Sequence, residues 1–129
     1  MAQPEPRRYI LLISVHGLIR GHDLELGRDA DTGGQTKYVV DLARALAAEP
    51  VTARVDLVTR LVEDVAVDDD YALPVESLAE NCNIVRFDGG PPGYIAKEQL
   101  WDHLDGFTDN LVEWLNRQER LPDVVHSHY

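Results

Sequence analysis

The chain has 129 residues, 44% hydrophobic and 27% charged, with 12 basic against 23 acidic side chains and a formal net charge of −11. That length suits a single domain with a sizeable core and is too short for two domains facing each other across a cleft. The acidic balance argues against non-specific nucleic-acid binding, and no apolar run approaches the roughly 20 residues that span a bilayer. A single cysteine, Cys82, rules out an internal disulfide and fits a reducing, cytoplasmic setting.

Residues 1–7 carry two prolines and read as a disordered tail. The basic pair Arg7-Arg8 before an apolar run echoes a signal peptide, but the run is short, contains Ser14 and lacks a small-residue cleavage site. Residues 9–15, Tyr-Ile-Leu-Leu-Ile-Ser-Val, form the near-continuous apolar run of a parallel strand covered on both faces. A long loop from His16 to Thr32 leads into a helix predicted from Gly33 to about Ala48, with Val39, Leu42, Ala43 and Leu46 on its core-facing stripe. Thr32 followed by Gln35 reads as a capping box with Thr32 as N-cap.

Strands are predicted over 54–59 and 83–87, separated by an acidic, aperiodic stretch over 61–81 that reads as a solvated insertion. Gly89-Gly90-Pro91-Pro92-Gly93 is a stiff turn. A long helix follows over 97–117, with Leu100, Leu104, Phe107, Leu111 and Leu115 along one face and Trp101 and Trp114 at its flanks. A fourth strand over 121–126 enters through Pro122. Strands alternating with helices imply an α/β fold with a mainly parallel, Rossmann-like sheet flanked by helices, whose ligands bind beyond the carboxyl ends of the strands.

Four features fall at strand ends or helix starts: His16-Gly17, Gly33-Gly34-Gln35, Lys97, and His126-Ser127-His128. Two glycines in a first helical turn cost about 1 kcal/mol each against alanine, yet they open the helix N-terminus to an anion. The preceding loop, longer than the usual two to six residues, adds His16, Arg20, His22 and Arg28, which could meet the same anion. There is no Gly-x-Gly-x-x-Gly and no Lys-Ser/Thr phosphate loop, which disfavours dehydrogenases and P-loop NTPases.

Lys97 stands at a helix start, where the dipole disfavours a cation unless an anion lies there too. His126 and His128, two apart on a strand, point the same way but make only half of a zinc site, so they read as ligand-orienting groups; no metal site is expected. Asp29 and Asp31 read as loop-stabilising residues. Ser14 and Ser127 lie in no nucleophile elbow, which counts against a hydrolase. Cys82 has no basic neighbour and reads as inert.

Three stretches carry a family signature: Ser14-Val15-His16-Gly17-Leu18-Ile19-Arg20-Gly21, Gly27-Arg28-Asp29-Ala30-Asp31-Thr32-Gly33-Gly34-Gln35-Thr36-Lys37-Tyr38, and Tyr94-Ile95-Ala96-Lys97-Glu98-Gln99-Leu100-Trp101, with His126-Ser127-His128-Tyr129 closing the match. In these the chain closely resembles the start of the sucrose-phosphate synthases, retaining glycosyltransferases of the two-domain GT-B architecture. Sucrose synthases share part of the wording, but Arg20-Gly21 and Gln35-Thr36-Lys37-Tyr38 look more like the phosphate-using family.

The resemblance implies transfer of glucose from UDP-glucose to fructose 6-phosphate, giving sucrose 6-phosphate and UDP. It makes residues 8–129 a partial N-terminal acceptor domain, with Gly33 and Gln35 on the acceptor sugar phosphate, Lys97 on its phosphate and Gly34 facing the donor diphosphate. His16, Arg20 and His128 are candidate ligand-orienting residues. The catalytic residues and the UDP-glucose domain are expected beyond Tyr129, so the chain reads as a fragment inactive alone and completed in cis or in trans. No cofactor is required, and magnesium could act as an activator. The alternatives are a sugar-phosphate-binding module without catalysis of its own, or a sucrose synthase-like enzyme using fructose.

Overall fold

The computed structural model describes residues 7–28 and 32–128. Five strands, β1 (Arg8–Ile13), β2 (Thr52–Arg60), β3 (Val75–Ala79), β4 (Cys82–Phe87) and β5 (Val124–Ser127), form one sheet in the order β3-β4-β2-β1-β5. All neighbours are parallel except β3 and β4, which are antiparallel. Helix α1 (Gly34–Ala47) links β1 to β2, and a 3₁₀ segment (Lys97–His103) running into helix α2 (Leu104–Asn116) links β4 to β5.

Consecutive side chains of a strand point to opposite faces, and both faces are covered here. Leu12, Leu57 and Ile84 pack with Val39, Val40 and Ala43 of α1, whereas their neighbours Leu11, Val58 and Val85 pack with Phe107 and Leu111 of α2. Burying each such leucine or valine is worth about 1.5–3 kcal/mol, so the unbroken apolar strands expected from the sequence are what a doubly covered parallel sheet demands. Gly89 lets α2 approach the end of β4: a Cβ there would stand 2.9 Å from Phe107 Cβ.

Several expectations are corrected. The sheet has a fifth strand, β3, inside the acidic stretch read as a solvated insertion; Val75, Ser77 and Ala79 are exposed while Glu76 and Leu78 are half-buried. The helix predicted over 97–117 is 3₁₀ as far as His103, with α-helical geometry only over Leu104–Asn116. The first strand ends at Ile13 rather than 15, and the last is Val124–Ser127 rather than 121–126. The expected capping box does not form. Gly33 is the N-cap, no side chain among the described residues caps α1, and Thr32 Oγ1 instead accepts a hydrogen bond from the Leu18 amide at 3.1 Å. Residues 1–6 of the expected tail, together with Asp29 and Asp31, lie outside the described residues.

Candidate functional site

The chain adds β2 and β4 to one side of β1, then crosses back to set β5 on the other side. The strand order thus reverses between β1 and β5, and an open α/β sheet binds its ligands at the carboxyl ends of the strands flanking such a point. There the His128 amide donates to the Ile13 carbonyl at 2.7 Å and the Ser14 amide to the Val58 carbonyl at 2.9 Å, so the ladder extends just past the strand ends. It delivers His16 and His128 to one rim.

A cavity of about 190 Å³ lies at this rim, lined by Val15, His16, Lys97, Leu100, Trp101, Leu104 and His128. Three features that the sequence placed at strand ends or helix starts, His16, Lys97 and His128, therefore converge. The imidazoles of His126 and His128 stack with centroids 4.5 Å apart and planes 21° from parallel, as side chains two apart on a strand should. His128 also meets Tyr38 of α1 edge-on at 5.9 Å. Burial and, secondarily, the neighbouring His126 hold the His128 pKa below its ordinary 6.5, favouring a neutral ring at pH 7. Its Nε2 is buried with no hydrogen-bond partner among the described residues.

Gly33, Gly34 and Gln35 are not walls of that cavity; they start α1, and Tyr38 in the next turn joins them to His128. A Cβ built on Gly33 or Gly34 meets nothing within 4 Å among the described residues. The first amides of any α-helix lack an intrahelical acceptor, and the Gln35 Nε2 is buried without a partner among the described residues. These are the donors an anionic ligand needs.

Arg20 goes elsewhere. It is 5% exposed, donates to Asp68 at 2.6 Å and Asp70 at 3.4 Å, caps the Asp23 carbonyl and lies over the Tyr71 ring at 5.1 Å. Its charge is used to pin the 16–28 loop to the acidic stretch. Arg28 pairs with Glu25 at 2.8 Å and also reaches the Ala66 carbonyl, and exposed His22 faces Asp70 at 3.5 Å. Of the four loop residues expected near an anion, only His16 lines the cavity.

Ser14 is fully buried and its hydroxyl has no partner among the described residues, so it forms no nucleophile–base pair. Burial pushes the Cys82 thiol up to about 11, leaving it protonated and unreactive. No group of three metal-ligating side chains occurs among the described residues, and no helix there is long and apolar enough to cross a membrane. Trp101 and Tyr38 were not singled out by sequence as site residues. The signal for Trp101 was its spacing, four residues beyond Lys97 and off the apolar stripe.

A doubly covered, mainly parallel sheet, a glycine-opened helix after its first strand and a cavity lined by a lysine and two histidines at the order reversal define a Rossmann-like α/β domain with a cavity at the carboxyl edge of its sheet. No protein-family model matches the chain. It is 43% identical to sucrose-phosphate synthase of Zea mays over 97% of its own length, which is 14% of that relative, and 45% identical to the probable sucrose-phosphate synthase 1 of Oryza sativa subsp. indica over the same shares. The solved sucrose-phosphate synthase of Thermosynechococcus elongatus superposes with a TM-score of 0.73 at 31% identity, over 95% of this chain and 27% of that one. Over nearly its whole length the chain is similar to sucrose-phosphate synthases, and it spans about one seventh of the length of the curated relatives it matches.

Proposed function

We propose that this segment is the acceptor-binding portion of a sucrose-phosphate synthase: a retaining glucosyltransferase that moves glucose from UDP-glucose to fructose 6-phosphate. The observation that carries the reading is the meeting of Lys97, His16 and His128 around one cavity at the order reversal. In the proposed arrangement the phosphate lies by Lys97, Gly33 and Gln35 hold the acceptor, and Gly34 faces the donor diphosphate. His16 and His128 orient the ligand from the rim. Arg20 acts at one remove by holding the loop that carries His16.

The cavity is smaller than the roughly 300–1,000 Å³ of a complete small-molecule site, which fits one wall of a cleft whose other wall is a donor domain supplied in cis or in trans. The 8–129 unit then positions the acceptor, and the donor half provides UDP-glucose and the leaving-group contacts. Catalysis in such a cleft is positional and electrostatic: closure excludes water and the helix dipole offsets charge developing on the diphosphate. The reading assigns no cofactor and leaves magnesium the role of an activator. Neutral His128 suits hydrogen bonding to a sugar hydroxyl as donor or acceptor.

The test is steady-state kinetics of the native polypeptide carrying these residues, wild type and Lys97→Ala, with UDP-glucose and either fructose 6-phosphate or fructose. A charge-assisted phosphate contact of about 1.5–3 kcal/mol predicts a KM for fructose 6-phosphate raised roughly 10- to 150-fold. Turnover with fructose alone, indifferent to the substitution, would favour a sucrose synthase-like acceptor and overturn the reading.

A further inference from the structure

The two tryptophans of the 97–116 segment have opposite surroundings. Trp114 is half-buried and packs on Phe87, ring centroids 5.6 Å apart, while Arg54 lies 5.7 Å from its ring. Trp101 is 72% exposed, although Leu100 before it is 5% exposed and faces the core. Trp101 stands off the stripe formed by Leu100, Phe107 and Leu111, so the packing of this segment on the sheet does not account for it. Its indole instead forms a wall of the cavity that Lys97, His16 and His128 also line.

The composition of these walls narrows the ligand. Val15, Leu100, Leu104 and Trp101 supply mostly carbon and Lys97 supplies a cation, while both His16 nitrogens and the His128 Nε2 are themselves buried. A bare anion would leave the carbon walls unused, and a wholly apolar ligand would strip water from Lys97 without replacing it. A hexose phosphate matches both parts: its anionic group suits the cation, and its ring carries a face of C–H bonds. The face of an indole is the negative part of its quadrupole and attracts polarised C–H groups. Lys97 and Trp101 are four residues apart on a 3₁₀ segment, roughly 8 Å along its axis, so one ligand can touch both side chains.

We propose that Trp101 is the platform on which the hexose ring of the acceptor lies, a specificity-determining contact that distinguishes a sugar phosphate from phosphate itself. The inference rests on the reading of the cavity as the sugar-phosphate site.

The experiment is isothermal titration of the native polypeptide with fructose 6-phosphate and, separately, with inorganic phosphate, without UDP-glucose. Wild type, Trp101→Phe and Trp101→Ala are compared. Loss of the platform in Trp101→Ala should weaken fructose 6-phosphate binding about tenfold, whereas Trp101→Phe, which keeps an aromatic face, retains most of it. Phosphate affinity should be the same in all three. Trp101→Ala binding fructose 6-phosphate like wild type would overturn the platform and leave the site reading intact. Equal losses for fructose 6-phosphate and phosphate would make Trp101 a packing residue and also overturn it. A wild-type protein that binds phosphate but gains nothing from the sugar would instead remove the underlying site reading.

Discussion

The two edges of this sheet are finished differently. At the β3 edge, Arg86 of β4 is 3% exposed and bonds Glu76 of β3 at 2.7 Å, the Ile19 carbonyl at 2.8 Å and the Leu73 carbonyl at 3.1 Å. Glu76 also accepts from the Gly21 amide at 2.7 Å, and Arg20 ties the same loop to Asp68. Strand, loop and acidic stretch are thereby locked into one ionic mesh. The β5 edge has no such cover: Leu121, Val124 and Val125 are 63%, 48% and 58% exposed. The cavity lined by His16, Lys97 and His128 lies on this side. The contrast teaches that the charged residues of the long loop brace the sheet on one flank, while the cavity lies beside the flank that the described residues leave uncovered.

The largest effect that would break this contrast is expected at Arg86. Removing one partner of a buried ion pair typically costs about 3–5 kcal/mol, and Arg86→Ala would also orphan two carbonyls. Denaturant unfolding should show a loss of that order; a loss under 1 kcal/mol would mean that the mesh does not hold the edge.

Titration sharpens the contrast at an intermediate scale. On the braced side, burial would raise Glu25, but Arg28, the Tyr71 hydroxyl and Arg20 together hold it below its ordinary 4.5. Its contribution is therefore present above that value and lost only as pH falls through the lower folded-state pKa. On the open side, His128 is depressed below 6.5, so the unfolded chain takes up the proton first. Stability from its neutral ring is complete above 6.5 and declines as pH drops below that value toward the folded pKa. NMR titration should find His128 below 6.5 and Glu25 below 4.5; His128 titrating at or above 6.5 would contradict the burial and stacking described here.

The smallest effect is expected at the open edge itself. Val125→Thr, at an exposed position, should change stability by no more than about 0.5 kcal/mol. A cost several times larger would show that another surface covers β5 in solution.

The parts legible in the sequence were those specified locally. β1 announced itself as seven near-continuous apolar residues, α1 by its three-and-four spacing, and His16, Lys97, His126 and His128 by their places at element ends. What escaped is non-local. β3 is a short edge strand with glutamate among its residues, so it lacks a hydrophobic run and becomes a strand only by pairing with β4. Arg20 resembled an anion ligand because its partners Asp68 and Asp70 lie 48 and 50 residues away. Thr32 had the spacing of an N-cap, but the Leu18 amide fourteen residues earlier claims its hydroxyl. Trp101 could be placed on a helix flank, yet only the crossing of that segment over the β1–β5 end makes the flank a wall.

The reversal of strand order also sets a timetable for synthesis. β1 leaves the ribosome more than a hundred residues before its second neighbour, β5: the two pair across nearly the whole of this segment. The Tyr9 amide donates to Asp123, 114 residues later, and Ile10 pairs with Val124. Pairings of such high sequence separation form slowly because a long loop must close first. Until then one edge of an apolar strand stays unsatisfied on the nascent chain, a template for wrong partners. The cavity is completed by β5: the emergence of residues 124–128 both shields β1 and brings His128 to its rim.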